Sequence, residues 1–186
     1  MYYRLMYDYP MSEDDAGYDI NDGIDFDGVR SWALGQRFDK SPPNPIVVPI
    51  TLTGPWDDPQ PPPMVDEYMC LMNPQMIEAL HSSGVDNIDI YPAVMRDTDT
   101  GKEFPYFGVN ILGLFKVADL NRSEWVNLDG EAKLDTIFTD LVIDDSQTYG
   151  FHLFRLYEST GTILISERIK AALAHIPFLR FNPVSR

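Results

Sequence analysis

Carboxylates are the first candidates for chemistry in this sequence, because clustered acids bind cations and move protons. The run Asp97-Thr98-Asp99-Thr100-Gly101 opens like a calcium loop, with acids at alternate positions before a glycine. The third ligand before the glycine is missing, Glu103 stands too close, and apolar and aromatic residues replace the later bidentate glutamate. The segment therefore reads as a hairpin turn. Asp22, Asp25 and Asp27 before Gly28 form a looser cation candidate, weighed against a solvated acidic loop. Asp57 and Asp58, like Asp144 and Asp145, are adjacent in sequence, so on an extended backbone their side chains diverge.

Other chemistries find less support. His81, His152 and His175 occur in no zinc-binding spacing, and His81 and His175 fall where the last turns of helices are expected. There is no nucleophile elbow and no phosphate-cradling glycine loop, and Gly108 and Gly113 lie inside a strand pattern. Cys70, in the setting EYMCLM, reads as a buried apolar position and has no cysteine to pair with. No catalytic residue, metal or cofactor is assigned, and the chain is not expected to be an enzyme.

The charge is more informative. Of 29 Asp and Glu against 14 Lys and Arg, residues 1–145 hold 27 acids and 9 bases, a sum of −18, and the last 41 residues hold 2 acids and 5 bases, a sum of +3. Such a field repels nucleic acid and anionic membranes and attracts basic surfaces, although acidity also serves solubility alone. A positively charged protein is the expected partner. The bases Arg155, Arg168, Lys170 and Arg180 read as internal partners for the acids.

The elements that must position these groups follow from pattern. With 44% hydrophobic residues and 186 positions, one folded domain is expected. No run reaches the roughly 18 apolar residues of a membrane span, and a cytoplasmic location is expected. Tyr2–Tyr7 reads as a strand. Residues 11–28 carry seven acids, three glycines and no base, and read as an acidic loop. Trp32, Leu34 and Phe38 return the chain to the core. Ile46 to Leu52 reads as a strand that Pro49 pushes to an edge or a bulge, and that edge leaves homodimer formation open. Residues 54–63, GPWDDPQPPP, read as a Pro-rich connector.

Two stretches share one pattern. YMCLMN leads into PQMIEALHSSG and VDNIDIYPAV, with Asn73 as N-cap, Pro74 at the first helical position and Gly84 as the stop. TILIS leads into ERIKAALAHIP and FLRFNPV, with Ser166 as the cap. Residues 87–97 and 104–115 flank the Asp97 turn as a long hairpin. Leu134 to Ile143 fits helix or strand, and strand is preferred for Thr139 to Ile143. The fold class expected is α+β, a single domain with a mixed, mostly antiparallel sheet and two short strand–helix–strand units.

The run DLVIDDSQTYGFHLFRLYESTGTILISERIKAAL, Asp140 to Leu173, resembles the closing signature of immunity protein family eleven, a bacterial family that accompanies polymorphic toxins. The elements that carry the resemblance are DLVID, HLFRLYES and ILISERIKAAL; it is weaker over Trp32 to Leu34 and Tyr68 to Leu80. It implies a non-enzymatic protein that binds a cognate toxin and occludes it, and it transfers no set of binding residues. Charge alone nominates Glu13, Asp14, Asp15, Asp19, Asp22, Asp25 and Asp27 as partner-binding. Exposed apolar surface around Trp56 or Trp125 is the substitute should charge not carry binding. The alternatives are an acidic interaction or scaffolding module without a toxin partner and, third, a small hydrolase with a dispersed acidic site.

Overall fold

A computed structural model describes residues 1–7, 17–20, 31–53 and 60–185. Among them are the strands β1 (Tyr2–Tyr7), β2 (Gly17–Ile20), β3 (Ile46–Thr53), β4 (Met64–Asp66), β5 (Cys70–Met72), β6 (Ile88–Asp97), β7 (Glu103–Ile111), β8 (Leu114–Phe115), β9 (Glu124–Val126), β10 (Ile137–Asp140), β11 (Leu153–Leu156), β12 (Ser159–Ser166) and β13 (Leu179–Pro183). Two α-helices, α1 (Pro74–Ser82) and α2 (Glu167–Leu173), accompany them. The fold is α+β, mostly strand. One sheet has the order β13-β1-β12-β11-β8, a second has β2-β3-β6-β7-β5-β4, and β9 and β10 form a separate ribbon. The pairs β3–β6 and β8–β11 are parallel, and the other pairings between these strands are antiparallel.

Three apolar clusters explain why the sheets stack. Tyr3, Leu5, Leu153, Ile163 and Ile165 of the first sheet meet Met72, Val109 and Ile111 of the second, together with Met76 and Leu80 of α1 and Ile169 and Leu173 of α2. Alternation sends the intervening residues the other way, since successive strand side chains point to opposite faces. Phe104, Tyr106, Ile46, Val48, Ile50 and Met95 therefore pack with Trp32 behind the second sheet. Tyr2, Phe154, Leu156 and Leu164 pack behind the first, against Phe138, Leu141 and Ile143. Fully burying an aliphatic side chain of this size contributes about 1.5–3 kcal/mol, so these faces dominate the stability.

The Asp97 turn is a hairpin turn. β6 and β7 pair from Ile88↔Ile111 to Arg96↔Glu103. Gly101 takes the positive φ of 72° that closes the loop. The Asp97 carboxylate accepts hydrogen bonds from the Thr100 hydroxyl and the Asp99 N–H. These bonds hold its pKa below the usual carboxylate range, the Thr100 bond contributing most.

Each helix joins two strands that are not neighbours. β7 lies between β5 and β6, antiparallel to both, and β1 lies between β12 and β13 in the same way. The helices pack on one another. Asn73 caps α1 by accepting from Met76 N–H at 3.0 Å, and Gly84 follows with a φ of 75°. Ser166 occupies the cap position of α2 but makes no side-chain cap bond. Its hydroxyl instead meets His152 Nδ1 at 3.0 Å, a nearby polar partner that competes with the helix end.

Three other expectations change. Gly17–Ile20 lies inside the segment read as loop, yet forms β2 by pairing with Ile50 to Thr53 and burying Tyr18. β3 is not an edge strand, but among the described residues β2 covers its far end alone and Pro49 lies just past that pairing, so the missing N–H disturbs only one side. The strand placed at Thr139 to Ile143 instead spans Ile137–Asp140. Leu141, Val142 and Ile143 are buried, but Val142 and Ile143 make only isolated bridges to Ser185 and Ala118, because among the described residues no strand runs beside them. Trp56 and most of the Pro-rich connector, residues 54–59, lie outside the described residues.

Candidate protein-binding surface

Of the seven acids nominated by charge, Glu13, Asp14, Asp15, Asp22, Asp25 and Asp27 lie outside the described residues. Asp19 lies on β2, opposite Thr51, and is exposed while its neighbour Tyr18 is buried. Tyr18 Oη lies 2.9 Å from Tyr7 Oη and 3.1 Å from Glu67 Oε1. Burial, the largest cause, and the neighbouring acid push both tyrosines above their ordinary pKa. They remain neutral phenols that fasten β2 to β1.

A second surface is built by the β9–β10 ribbon. Its register sets Trp125 opposite Phe138 and Val126 opposite Ile137. Because consecutive residues face opposite sides, the aromatic pair turns inward to join Leu141, Phe154 and Leu164. The aliphatic pair turns outward, with Val126 63% and Ile137 65% exposed. After a register shift between Phe138 and Asp140, Glu124 pairs with Asp140, and both are exposed. The Arg4 guanidinium is close enough to Asp140 to feel its charge, and it donates to the Phe138 carbonyl at 3.2 Å.

Asn127 makes the densest set of side-chain bonds in the connecting loop, which the Lys133–Glu131 pair at 2.9 Å also crosses. Asn127 Nδ2 donates to the Lys133 carbonyl at 3.2 Å, to Asp135 Oδ1 at 2.8 Å and to Thr136 Oγ1 at 3.3 Å. Its Oδ1 accepts from Asp129 N–H at 2.9 Å. The loop is anchored to the first sheet by Leu134 N–H to the Tyr157 carbonyl at 3.0 Å and Thr160 N–H to the Leu134 carbonyl at 2.7 Å. Leu128 and Leu134 remain exposed along it. Five of the eleven exposed large apolar residues among those described fall in this stretch: Leu120, Val126, Leu128, Leu134 and Ile137. Concentration of this kind marks contact surfaces, whereas scattered exposure does not.

An open cleft of about 580 Å³ lies nearby, lined by Lys116, Asp119, Arg122, Asp144, Asp145 and Gln147 among others. Its charges are largely engaged with their own neighbours. Asp119 stands 3.8 Å from Arg122, and Asp144 caps the 3-10 turn Asp145–Thr148 through Ser146 N–H at 3.0 Å and the Ser146 hydroxyl at 2.6 Å. The Ser146 hydroxyl bond is the main reason the Asp144 pKa is lowered. Among the described residues, no three His, Cys, Asp or Glu side chains converge as metal ligands. Cys70 is fully buried, and burial above all, with the Asp66 charge, pushes its thiol pKa up. It lacks the thiolate character of a nucleophile.

The bases of the C-terminal part have structural duties. Two of them meet acids as expected, Arg155 with Asp66 and Lys170 with Glu167 at 3.3 Å, whereas Arg168 packs close over Gly84 and Arg180 donates to Met6 Sδ at 3.7 Å. The outward aliphatic pair was beyond sequence reasoning, which pointed to Trp125. Trp125 turns its ring toward the core, and the adjacent Val126 is the exposed partner. The Trp-Val step opposite Ile-Phe is the signal that betrays such a ribbon once its register is known. No helix among the described residues is long and apolar enough to cross a membrane. No protein-family model matches this chain, and no curated protein sequence does.

Proposed function

We propose that this protein is a toxin-neutralising immunity protein of the cytoplasm, which binds a cognate toxin domain bearing a basic surface and occludes it. The observation that carries the reading is the coexistence of 27 acids against 9 bases over residues 1–145 with the run Asp140 to Leu173, similar to immunity protein family eleven. That run supplies framework: Leu153, Ile163, Ile165, Ile169 and Leu173 are core residues. The strand–helix–strand units around α1 and α2 belong to the same reading, as paired frames that brace the sheets. Binding is then the task of the acidic remainder, with Glu13, Asp14, Asp15, Asp19, Asp22, Asp25 and Asp27 as contacts. Toxins that act on nucleic acid present basic surfaces, and an acidic inhibitor is steered to them at high rate. Nucleic acid and anionic membrane are disfavoured partners for the same electrostatic reason.

The test is co-expression with the protein encoded beside this chain, followed by size-exclusion chromatography. Co-elution of the two supports the reading. Separate elution, with the neighbour's toxicity unrelieved, refutes it and favours a scaffolding module.

A further inference from the structure

We infer that the outer face of the β9–β10 ribbon is a docking surface for a protein that presents an apolar side chain ringed by Lys or Arg. The inference rests on the proposed function for the identity of that protein, and on the ribbon itself for the place and chemistry of contact. Val126 and Ile137 are paired across the strands and point away from the core, and the loop between their strands carries exposed Leu128 and Leu134. Solvent is a poor environment for such a face, and burying it against an apolar side chain is favourable.

Charge decides the occupant. Residues 119–145 contain eight acids and two bases, a sum of −6. Two copies of the chain joined through this face would bring those fields together, which disfavours a homodimer. A basic rim reverses the sign. Glu124 and Asp140 are partners across the strands after a register shift between Phe138 and Asp140, and like charges paired across strands repel. A cation inserted between them relieves that repulsion on binding. Asp140 already has Arg4 nearby, and Glu124 makes no ion pair among the described residues, so Glu124 is the acid most ready to receive it.

The loop that carries the face is fixed by Asn127 and by the backbone bonds from Leu134 to Tyr157 and from Thr160 to Leu134. A preorganised apolar pair beside an acidic one loses little conformational freedom when it is covered. It has the form of an interface centre, an apolar contact with a polar rim.

The test measures the dissociation constant of the full chain with the protein encoded beside it, for wild type and for Ile137→Lys, Glu124→Lys and Val47→Lys. Val47 is also exposed but lies on β3, away from the ribbon. Ile137→Lys is expected to weaken binding by about a hundredfold and Glu124→Lys by about tenfold, with a shallower salt dependence for the latter. Val47→Lys is expected to stay within about twofold, the range of a neutral surface change. Should Ile137→Lys lower the thermal midpoint, amide hydrogen exchange of the wild-type complex decides, with slowed exchange over residues 124–140 expected. A tightly binding wild type with Ile137→Lys equally tight, or with unprotected ribbon amides, overturns the docking surface and leaves the functional reading standing. A wild type that binds nothing overturns both. A chain that dimerises alone, and that Ile137→Lys returns to monomer, makes the occupant a second copy and overturns the basic partner.

Discussion

Arg155 and Asp66, 89 positions apart in sequence, form a two-pronged ion pair that ties the two large sheets together. Arg155 Nη2 lies 2.6 Å from Asp66 Oδ1 and Nη1 lies 2.9 Å from Oδ2, while Nη1 also donates to the Thr160 carbonyl at 2.8 Å. The arginine stands on β11 and the aspartate on β4, with side-chain exposures of 2% and 12%. Burial works against the charged guanidinium, but the Asp66 bond and charge outweigh it and raise the arginine pKa. Removing either partner strands a buried charge.

Asp66→Ala is therefore expected to cost about 3–5 kcal/mol, lowering the thermal midpoint by about 10 °C in a chain of this size. The double variant Asp66→Leu/Arg155→Met removes both charges and recovers most of that loss. Urea unfolding of the two variants measures the difference. Equal destabilisation by the single and double variants would show that geometry, not charge, holds the sheets.

Gly108 allows Trp32 to lie against the second sheet. A Cβ placed there meets the Trp32 ring at 2.9 Å and Ile46 Cδ1 at 3.1 Å, and the same ring is packed edge-on to Phe38 at 4.7 Å and Tyr91 at 5.8 Å. Gly108→Ala is expected to cost about 1–3 kcal/mol by overpacking and to red-shift the tryptophan emission as the indole is displaced. An unshifted spectrum with unchanged stability contradicts the packing described.

The parts of the fold that sequence made legible are those set by local signals. The strand Tyr2–Tyr7, the hairpin across Asp97 to Gly101, and the Asn73–Pro74 helix start all depend on residues close in the chain. β2 escaped because three glycines and seven acids mask a strand that exists through its pairing with β3. Ser166 looks like a cap until His152 is brought beside it by β11 and β12. The outward turn of Val126 and Ile137 depends on which ribbon face meets the core, a choice made by Phe138 and Trp125 against distant Phe154 and Leu164. Asp19 alone among the nominated acids can be placed, and it is on the surface.

Glu158 is buried at 5% exposure with Oε2 free of any hydrogen-bond partner. Burial is the main cause of its raised pKa, and hydrogen bonds from its own N–H and that of Ala118, with the Lys116 charge, reduce the effect. The folded state thus holds this proton more tightly than the unfolded state. The stability it contributes is full below the ordinary glutamate value and is lost as pH rises through the raised one. Glu158→Gln is expected to be more stable than wild type at neutral pH, with the gap closing as the pH falls below the ordinary glutamate value. Calorimetric midpoints across that range check it; a gap that widens on acidification contradicts the assignment.

Asp97 behaves in the opposite sense. Its lowered pKa means that its contribution is present above the ordinary aspartate value and disappears as pH falls through the depressed one. Asp97→Ala removes the acceptor for the Thr100 hydroxyl and Asp99 N–H and is expected to cost about 1 kcal/mol. Amide exchange at Gly101 and Lys102 reads the loosening of the turn, and an unaffected turn would show that Gly101 alone sets it.

Charge steering makes a kinetic prediction. With a net charge of −15, the association rate with a basic toxin is expected to fall about tenfold or more between low and physiological salt, with a much smaller change in dissociation. Stopped-flow mixing at several ionic strengths measures both. A salt-independent association rate would transfer the burden of recognition to the apolar face.

Neutralisation of a cognate toxin by binding is read out in cell survival. Cells induced for the protein encoded beside this chain are plated with and without co-induction of the chain, and surviving colonies are counted. Co-induced chain is expected to restore growth to that of uninduced cells. Killing that continues undiminished while both proteins accumulate in soluble form would contradict it.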